Sequence, residues 1–265
     1  MKIANFPENV HVFVDRESTA MAAGRAVEKC IEKLQEEKET IRMIFAAAPS
    51  QDGMLDYLVH SSTINWHKII AFNMDEYIGL PKDSPQLFAT YLEKRLFSKV
   101  DLKERFTINS EEKSQEEIGR FTDLINDGTI DIVCLGIGEN GHIAFNDPPV
   151  ADFNDPDIIK VVELDEACRL QQVNEGLFDS LEKVPEKALT LTIPTLMKGE
   201  HLFCVVLGEN KSEAVENALT GPIATSCPAS ILTEHPNCEF FFDEEAFGAI
   251  SFDESSAQRI TGAKY

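Results

Sequence analysis

The strongest constraint on this chain is an alternation of two patterns. Short apolar runs take turns with longer segments in which apolar residues recur at helical spacing. Val10–Val14, Ile41–Ala46, Ile69–Asn73, Ile130–Leu135, Ile158–Leu164, His201–Leu207 and Glu239–Phe242 read as strands. Ala23, Val27, Cys30, Ile31 and Leu34 fall on one face of a helix with charges between them. Asp52–His60, Leu87–Leu96, Ser114–Ile125 and Lys211–Leu219 carry further helices, and Ser-x-x-Glu at Ser114 predicts a capping box. Strands joined through helices need right-handed crossovers, so the expectation is an α/β fold with a mostly parallel, twisted sheet. The 265 residues suffice for one well-buried core. No repeat, low-complexity tract or linker divides them, so a single domain over 1–265 is expected.

A net charge of −22 opposes nucleic acid and anionic membranes as partners, because both would repel the chain. It leaves room for a local basic pocket that holds a small anion. Met1–Pro7 lacks the apolar centre of a leader and no apolar run is long enough to span a bilayer, so a soluble, cytoplasmic protein is expected. Cys30, Cys134, Cys168, Cys204, Cys227 and Cys238 are scattered, without a Cys-x-x-Cys pair, and read as reduced, packed thiols. His11, His60, His67, His201 and His235 show no metal-ligand spacing, so neither a metal nor another cofactor is expected.

Chemistry concentrates in Gly136-Ile-Gly-Glu-Asn-Gly-His-Ile-Ala-Phe-Asn-Asp-Pro-Pro149, directly after an apolar strand. Ligands of parallel α/β proteins bind at the carboxyl ends of the strands. Gly136, Gly138 and Gly141 spell G-x-G-x-x-G, yet dinucleotide binding needs a helix next, and Asn146-Asp147-Pro148-Pro149 breaks one at once. The same loop places His142 between Asn140 and Asp147, a setting that fixes a tautomer for general acid–base work. A loop histidine satisfied by backbone carbonyls is the alternative. The Pro/Asp-rich stretch Asn146–Asp157 reads as a loop lining the site. A second strand ends in Asp75-Glu76, which are either turn formers or site acids. Asp75 can share a cleft with His142 if the two strands lie close together. Lys211, where the Leu207-Gly208 strand end meets a helix, is either a surface lysine or an anion ligand.

Together these segments resemble the glucosamine-6-phosphate deaminase/isomerase family. The resemblance rests on Asn73-Met-Asp-Glu-Tyr77-x-Gly79-Leu80 and Gly136-x-Gly-x-Asn-Gly-His-Ile-x-Phe-Asn146. Val184-Pro185-x-x-Ala188-Leu189-Thr190, Gly208-x-x-Lys211, Ser226-Cys227 and His235-Pro236 follow in the family's order, so the match spans about residues 8–245. It implies a Rossmann-like three-layer α/β/α sandwich. It also implies conversion, without a metal, of glucosamine 6-phosphate, or of an epimer such as galactosamine 6-phosphate, to a ketose 6-phosphate and ammonia. On that resemblance His142 opens the sugar ring, Asn140 and Asp147 orient it, and Asp75 shuttles a proton between C2 and C1. Ser50, Lys211, Gly138 and Gly141 then hold the substrate or its phosphate. The partner is a small sugar phosphate, and the sequence is compatible with a homo-oligomer.

Four departures bear on the substrate, one of them Asn140, which stands where some members have aspartate and others asparagine. Ala48-Pro49-Ser50 replaces the family's Gly-Gly-Thr phosphate turn, which weakens or reshapes any nest of backbone donors. Asp147 stands where many members have glutamate, one methylene shorter. The arginine that many members place on the phosphate aligns near Gly176, with Arg169 as a substitute from a shifted loop. Two other readings accompany the resemblance. One is a 6-phosphogluconolactonase-type hydrolase, which needs the histidine but not Asp75, and the other is a catalytically silent sugar-phosphate sensor.

Overall fold

The computed structural model describes residues 9–109, 111, 114–248 and 250; Met1–Pro7 lies outside them. The first part of the chain forms β1 (Val10–Phe13), α1 (Arg16–Glu37), β2 (Ile41–Phe45), α2 (Asp52–Val59), β3 (Ile69–Asn73) and β4 (Asp75–Tyr77). It continues as α3 (Phe88–Leu92), extended by a π-helical turn (Glu93–Phe97), then β5 (Glu104–Phe106), α4 (Ser114–Asn126) and β6 (Ile132–Leu135). The remainder forms β7 (Ile159–Glu163), α5 (Glu166–Asn174), β8 (Lys187–Leu191), α6 (Ile193–Leu196), β9 (His201–Val206), α7 (Ser212–Thr220), β10 (Cys238–Asp243) and α8 (Glu244–Phe247).

Seven strands form a wholly parallel sheet in the order β1-β10-β9-β6-β2-β3-β5. Both its faces are covered, so its central strands are apolar on alternate sides. Ile132, Cys134, Phe203 and Val205 pack with α1 and α2, whereas Val133, Leu135, Cys204 and Val206 pack with α4 and α7. This is the three-layer sandwich that the alternation and the resemblance imply. Close packing between layers is visible at Gly24 of α1, where an added Cβ would sit 2.5 Å from the Tyr57 ring of α2.

Differences from the sequence reading lie where patterns are short or polar. β4, β5, β8 and α5 were not anticipated, because they are brief or carry little apolar periodicity. The capping box at Ser114 is replaced by a different use of its glutamate. Glu117 accepts from the Asn109 amide (2.8 Å) and pairs with Arg120 (2.5 Å), which ties α4 back to the preceding loop.

The strand order contains one reversal that matters. From β2 the chain runs outward through β3 to β5, then returns to place β6 on the other side of β2. The connections leaving β2 and β6 therefore diverge and open a crevice at their carboxyl ends. β4 pairs antiparallel with β8, and β8 with β7, in a separate three-stranded sheet. That small sheet carries Asp75.

Candidate active site

The crevice is a cavity of about 160 Å³. It draws Ala46–Ser50 from the end of β2, Met74 and Asp75 from beyond β3, and Gly136–Gly138 with His142, Ala144 and Phe145 from beyond β6. Val206 is the last residue of β9, Leu207, Asn210 and Lys211 come from beyond it, Gln171, Gln172 and Glu175 from α5 and its end, and Arg16 from the start of α1. β3 and β6 are not neighbours, since β2 lies between them. Asp75 and His142 nevertheless line the same cavity, because all three strands discharge into one crevice.

The glycine loop folds tightly. The Gly138 amide donates to the His142 carbonyl (2.9 Å) and the Gly141 amide to the Gly138 carbonyl (3.0 Å). No helix follows the third glycine, in keeping with the prolines. A Cβ on Gly138 would lie 2.1–2.4 Å from the His142 ring, so this glycine makes room for the imidazole. Gly141 has a different duty: its φ is +82°, and a Cβ there would meet Cys227 Sγ at 2.7 Å. Gly141 is not among the residues that line the cavity.

His142 is fixed on one edge. Its Nδ1 lies 2.7 Å from Asn140 Oδ1 and 3.0 Å from Asp147 Oδ1. The Asn140 amide is oriented by its own bonds, since Oδ1 accepts from the His142 backbone N–H (3.1 Å) and Nδ2 donates to Asp147 Oδ1 (2.9 Å). Both neighbours of Nδ1 are therefore acceptors, which assigns the ring proton to Nδ1 and leaves Nε2 as the free lone pair. Asp147 reaches the ring despite its shorter side chain. Burial pushes its carboxyl up, but the His142 hydrogen bond and charge, with Asn140, reverse this and hold it below its ordinary value. Asn146–Asp157 does not line the cavity, contrary to expectation: Asn146 and Asp147 are fully buried, and none of residues 146–157 is among its lining residues.

Asp75 and Glu76 have opposite fates because successive strand residues face opposite ways. Burial pushes the Asp75 carboxyl well above the usual carboxylate range, and the charges of Glu76 and Asp147 add to this. Glu76 instead accepts from the amides of Tyr77 (3.0 Å), Phe88 (3.0 Å) and Ala89 (2.8 Å), holding the start of α3. Burial pushes it up to about 7 against those three bonds.

Thr190 of β8 joins the two halves of the site. It is the register partner of Asp75, and its Oγ1 accepts from the Phe145 amide at 3.1 Å. Asn146 Nδ2 also donates to the Leu191 carbonyl (2.9 Å), so β8 anchors the histidine loop. Ala144 in that loop has φ +49°, the sole positive φ among described non-glycine residues.

At the other end, Ser50 Oγ accepts from Gln51 Nε2 (3.0 Å). In the Ala48-Pro49-Ser50 turn, Ala48 is extended and Pro49–Gln51 form a 3₁₀ turn, with no left-handed residue to build a nest. Lys211 is buried and its Nζ lies 3.3 Å from Glu175 Oε1. Arg169 is not brought to the cavity. Its guanidinium donates to the Leu181 (2.8 Å) and Val184 (2.9 Å) carbonyls, because α5 is a helix and turns this side chain away. The His142, Asp147 and Cys168 donor atoms lie within 4.8 Å of one another, a cluster the sequence spacing did not suggest.

The sequence model of the glucosamine-6-phosphate isomerase/6-phosphogluconolactonase family matches residues 14–240. The chain belongs to this family. Among its relatives, a glucosamine-6-phosphate deaminase of Exiguobacterium sibiricum is 37% identical over 203 residues, covering 76% of this chain and 77% of that protein. One from Bacillus thuringiensis is 32% identical over 224 residues, covering 84% and 83%. A solved monomeric glucosamine-6-phosphate deaminase superposes with a TM-score of 0.83 at 30% identity, covering 91% of this chain and 100% of that one. A 6-phosphogluconolactonase from Thermotoga maritima shares the fold, with a TM-score of 0.72 at 18% identity over 88% of this chain.

Sequence reasoning did not single out Arg16, Gln171, Gln172, Glu175, Asn210 or Thr190. For Arg16 a signal existed, since it follows the carboxyl end of the first strand. The α5 residues lacked one, because that helix is mostly polar. No described helix is long and apolar enough to cross a membrane.

Proposed function

We propose that the chain deaminates and isomerises an amino sugar 6-phosphate, glucosamine 6-phosphate or a close epimer, to a ketose 6-phosphate and ammonia. The observation that carries this reading is the convergence of two proton-transfer groups on one cavity. Asp75 is a buried carboxylate with raised basicity, and His142 presents a free Nε2. The pyranose opens when the O1 proton is lost and the ring oxygen gains one, an exchange suited to Nε2. Asp75 then removes the C2 proton of the open-chain aldehyde and returns it to C1, while the nitrogen gives up one proton and O1 gains one. This turns C1 into an alcohol and the C2 amine into an imine. Water adds at C2 and ammonia leaves, giving the ketose. The substrate's own ammonium supplies the counter-charge that keeps Asp75 ionised in a buried place.

Ser50 and Lys211 serve the phosphate in this reading, and Gly138 admits the imidazole. Asn140 and Asp147 hold it. The identity to deaminases over most of both chains supports the same assignment. We also infer a cytoplasmic protein that acts as one domain, in line with its charge and the absence of a spanning helix among described residues. The solved deaminase relative is monomeric.

The decisive assay is ammonia release across glucosamine, galactosamine and mannosamine 6-phosphates, with Asp75→Asn alongside. The variant is expected to lose at least about 10³-fold in kcat while still binding substrate, since the amide that replaces the carboxylate cannot take up the carbon-bound proton. Asp75 must be ionised to act, so kcat/KM should fall as pH drops through its raised pKa, above the ordinary carboxylate range. No ammonia from any of the three would refute the reading, and lactone hydrolysis by the same preparation would replace it with the hydrolase.

A further inference from the structure

The phosphate end of the cavity is short of positive charge. A sugar phosphate is close to a dianion near neutral pH. Lys211 is already opposed by Glu175 at 3.3 Å, whose Oε1 also accepts from Gln171 Nε2 (2.7 Å). Gly176 offers no side chain, and Arg169 is engaged by two carbonyls away from the cavity. Among the described residues that line the cavity, the remaining permanent cation is Arg16.

Arg16 is delivered there by structure built around it. Asp15 caps α1, with Oδ1 accepting from the Ser18 amide at 2.7 Å, and so fixes the first helical residue at the cavity mouth. Asp243, at the end of β10 and buried, accepts from the Gly208 amide with both oxygens at 3.0 Å and from the Ala246 amide at 2.8 Å. Its Oδ2 lies 3.8 Å from Arg16 Nε. Gly208 leaves the space the guanidinium fills, since a Cβ there would sit 2.6 Å from Arg16 Nη2. The guanidinium therefore lies over the turn that carries Lys211, three residues further on, and its side chain keeps 61% exposure in which to pivot.

We propose that Arg16 is the second phosphate-binding cation of this site, acting with Lys211 and Ser50 in place of an arginine on the α5 side. A guanidinium suits the task because it is always charged and can offer two parallel N–H donors to a phosphate. This inference rests on the sugar-phosphate reading above, and the test separates the two. Full-length wild type, Arg16→Gln and Arg16→Lys are compared in two measurements. One is the steady-state kinetics of ammonia release from glucosamine 6-phosphate; the other is binding of inorganic phosphate by calorimetry. Arg16→Gln should raise both KM and the phosphate Kd by about 10–100-fold, with kcat within about twofold, and Arg16→Lys should recover part of the loss. If wild type turns over and Arg16→Gln keeps both constants, the inference is wrong while the proposed activity stands. If no amino sugar phosphate yields ammonia but phosphate binding still weakens in Arg16→Gln, the activity falls and the anion site stands.

Discussion

Gly138→Ala isolates the histidine geometry from everything else in the site. Gly138 is not among the residues with positive φ, so the backbone accepts alanine without strain. The added methyl would lie 2.1 Å from His142 Cε1, 2.3 Å from Nε2 and 2.4 Å from Nδ1. Ordinary contact begins at 3.4 Å, so the ring must retreat by about 1.3 Å. Nδ1 sits 2.7 Å and 3.0 Å from its two acceptors, and a retreat of that size breaks or distorts at least one of these bonds. A misplacement near 1 Å costs about 100-fold in rate, or ~2.7 kcal/mol in the barrier. The assay is kcat for ammonia release, with thermal unfolding to show that the variant is folded, the overpacked ring costing about 1–3 kcal/mol of stability. A kcat within about threefold of wild type in a folded variant would refute the argument that this glycine exists to seat the imidazole.

Two other substitutions probe the scaffold. Gly141→Ala, at φ +82° and with a Cβ 2.7 Å from Cys227 Sγ, should lose about 2–4 kcal/mol in denaturant unfolding; an unchanged midpoint would contradict the packing described. Glu76 has its pKa raised from 4.5 to about 7 by burial, so the folded state holds the proton more tightly than the unfolded one. Its stabilising contribution is whole below about 4.5 and is lost as pH rises through about 7, a change of about 3 kcal/mol. Asp75 acts in the same direction, so the comparison is between wild type and Glu76→Gln, whose unfolding free energy should decline less over that interval; parallel curves would count against it.

The central strands of the main sheet were readable because burial on both faces demands continuous apolar runs, as at Ile132–Leu135 and Leu202–Val206; its edge strand β5, short and mostly exposed, was not. β4 was not, since three residues, Asp75–Tyr77, carry no period. α5 was missed for a related reason: Cys168, Gln171 and Gln172 are its buried residues, and two of these are polar. The histidine loop was legible because its chemistry is local, with Asn140, His142 and Asp147 close in sequence. Even there, Gly138 and Gly141 look alike as letters. Only their neighbours distinguish a glycine that admits a ring from one that packs against Cys227.

What the amino-acid sequence determines by itself is therefore the layered α/β class and the local acid–base unit, both of which follow from short-range pattern. Tertiary structure alone decided which distant residues share the cavity. It set Asp75 opposite Thr190, turned Arg169 away, closed Glu175 on Lys211, and carried Arg16 from the first strand's end to the turn before Lys211. The reversal of strand order at β2 and β6 is the physical reason. It brings several connections to one crevice, and no spacing along the chain records which side chains meet there.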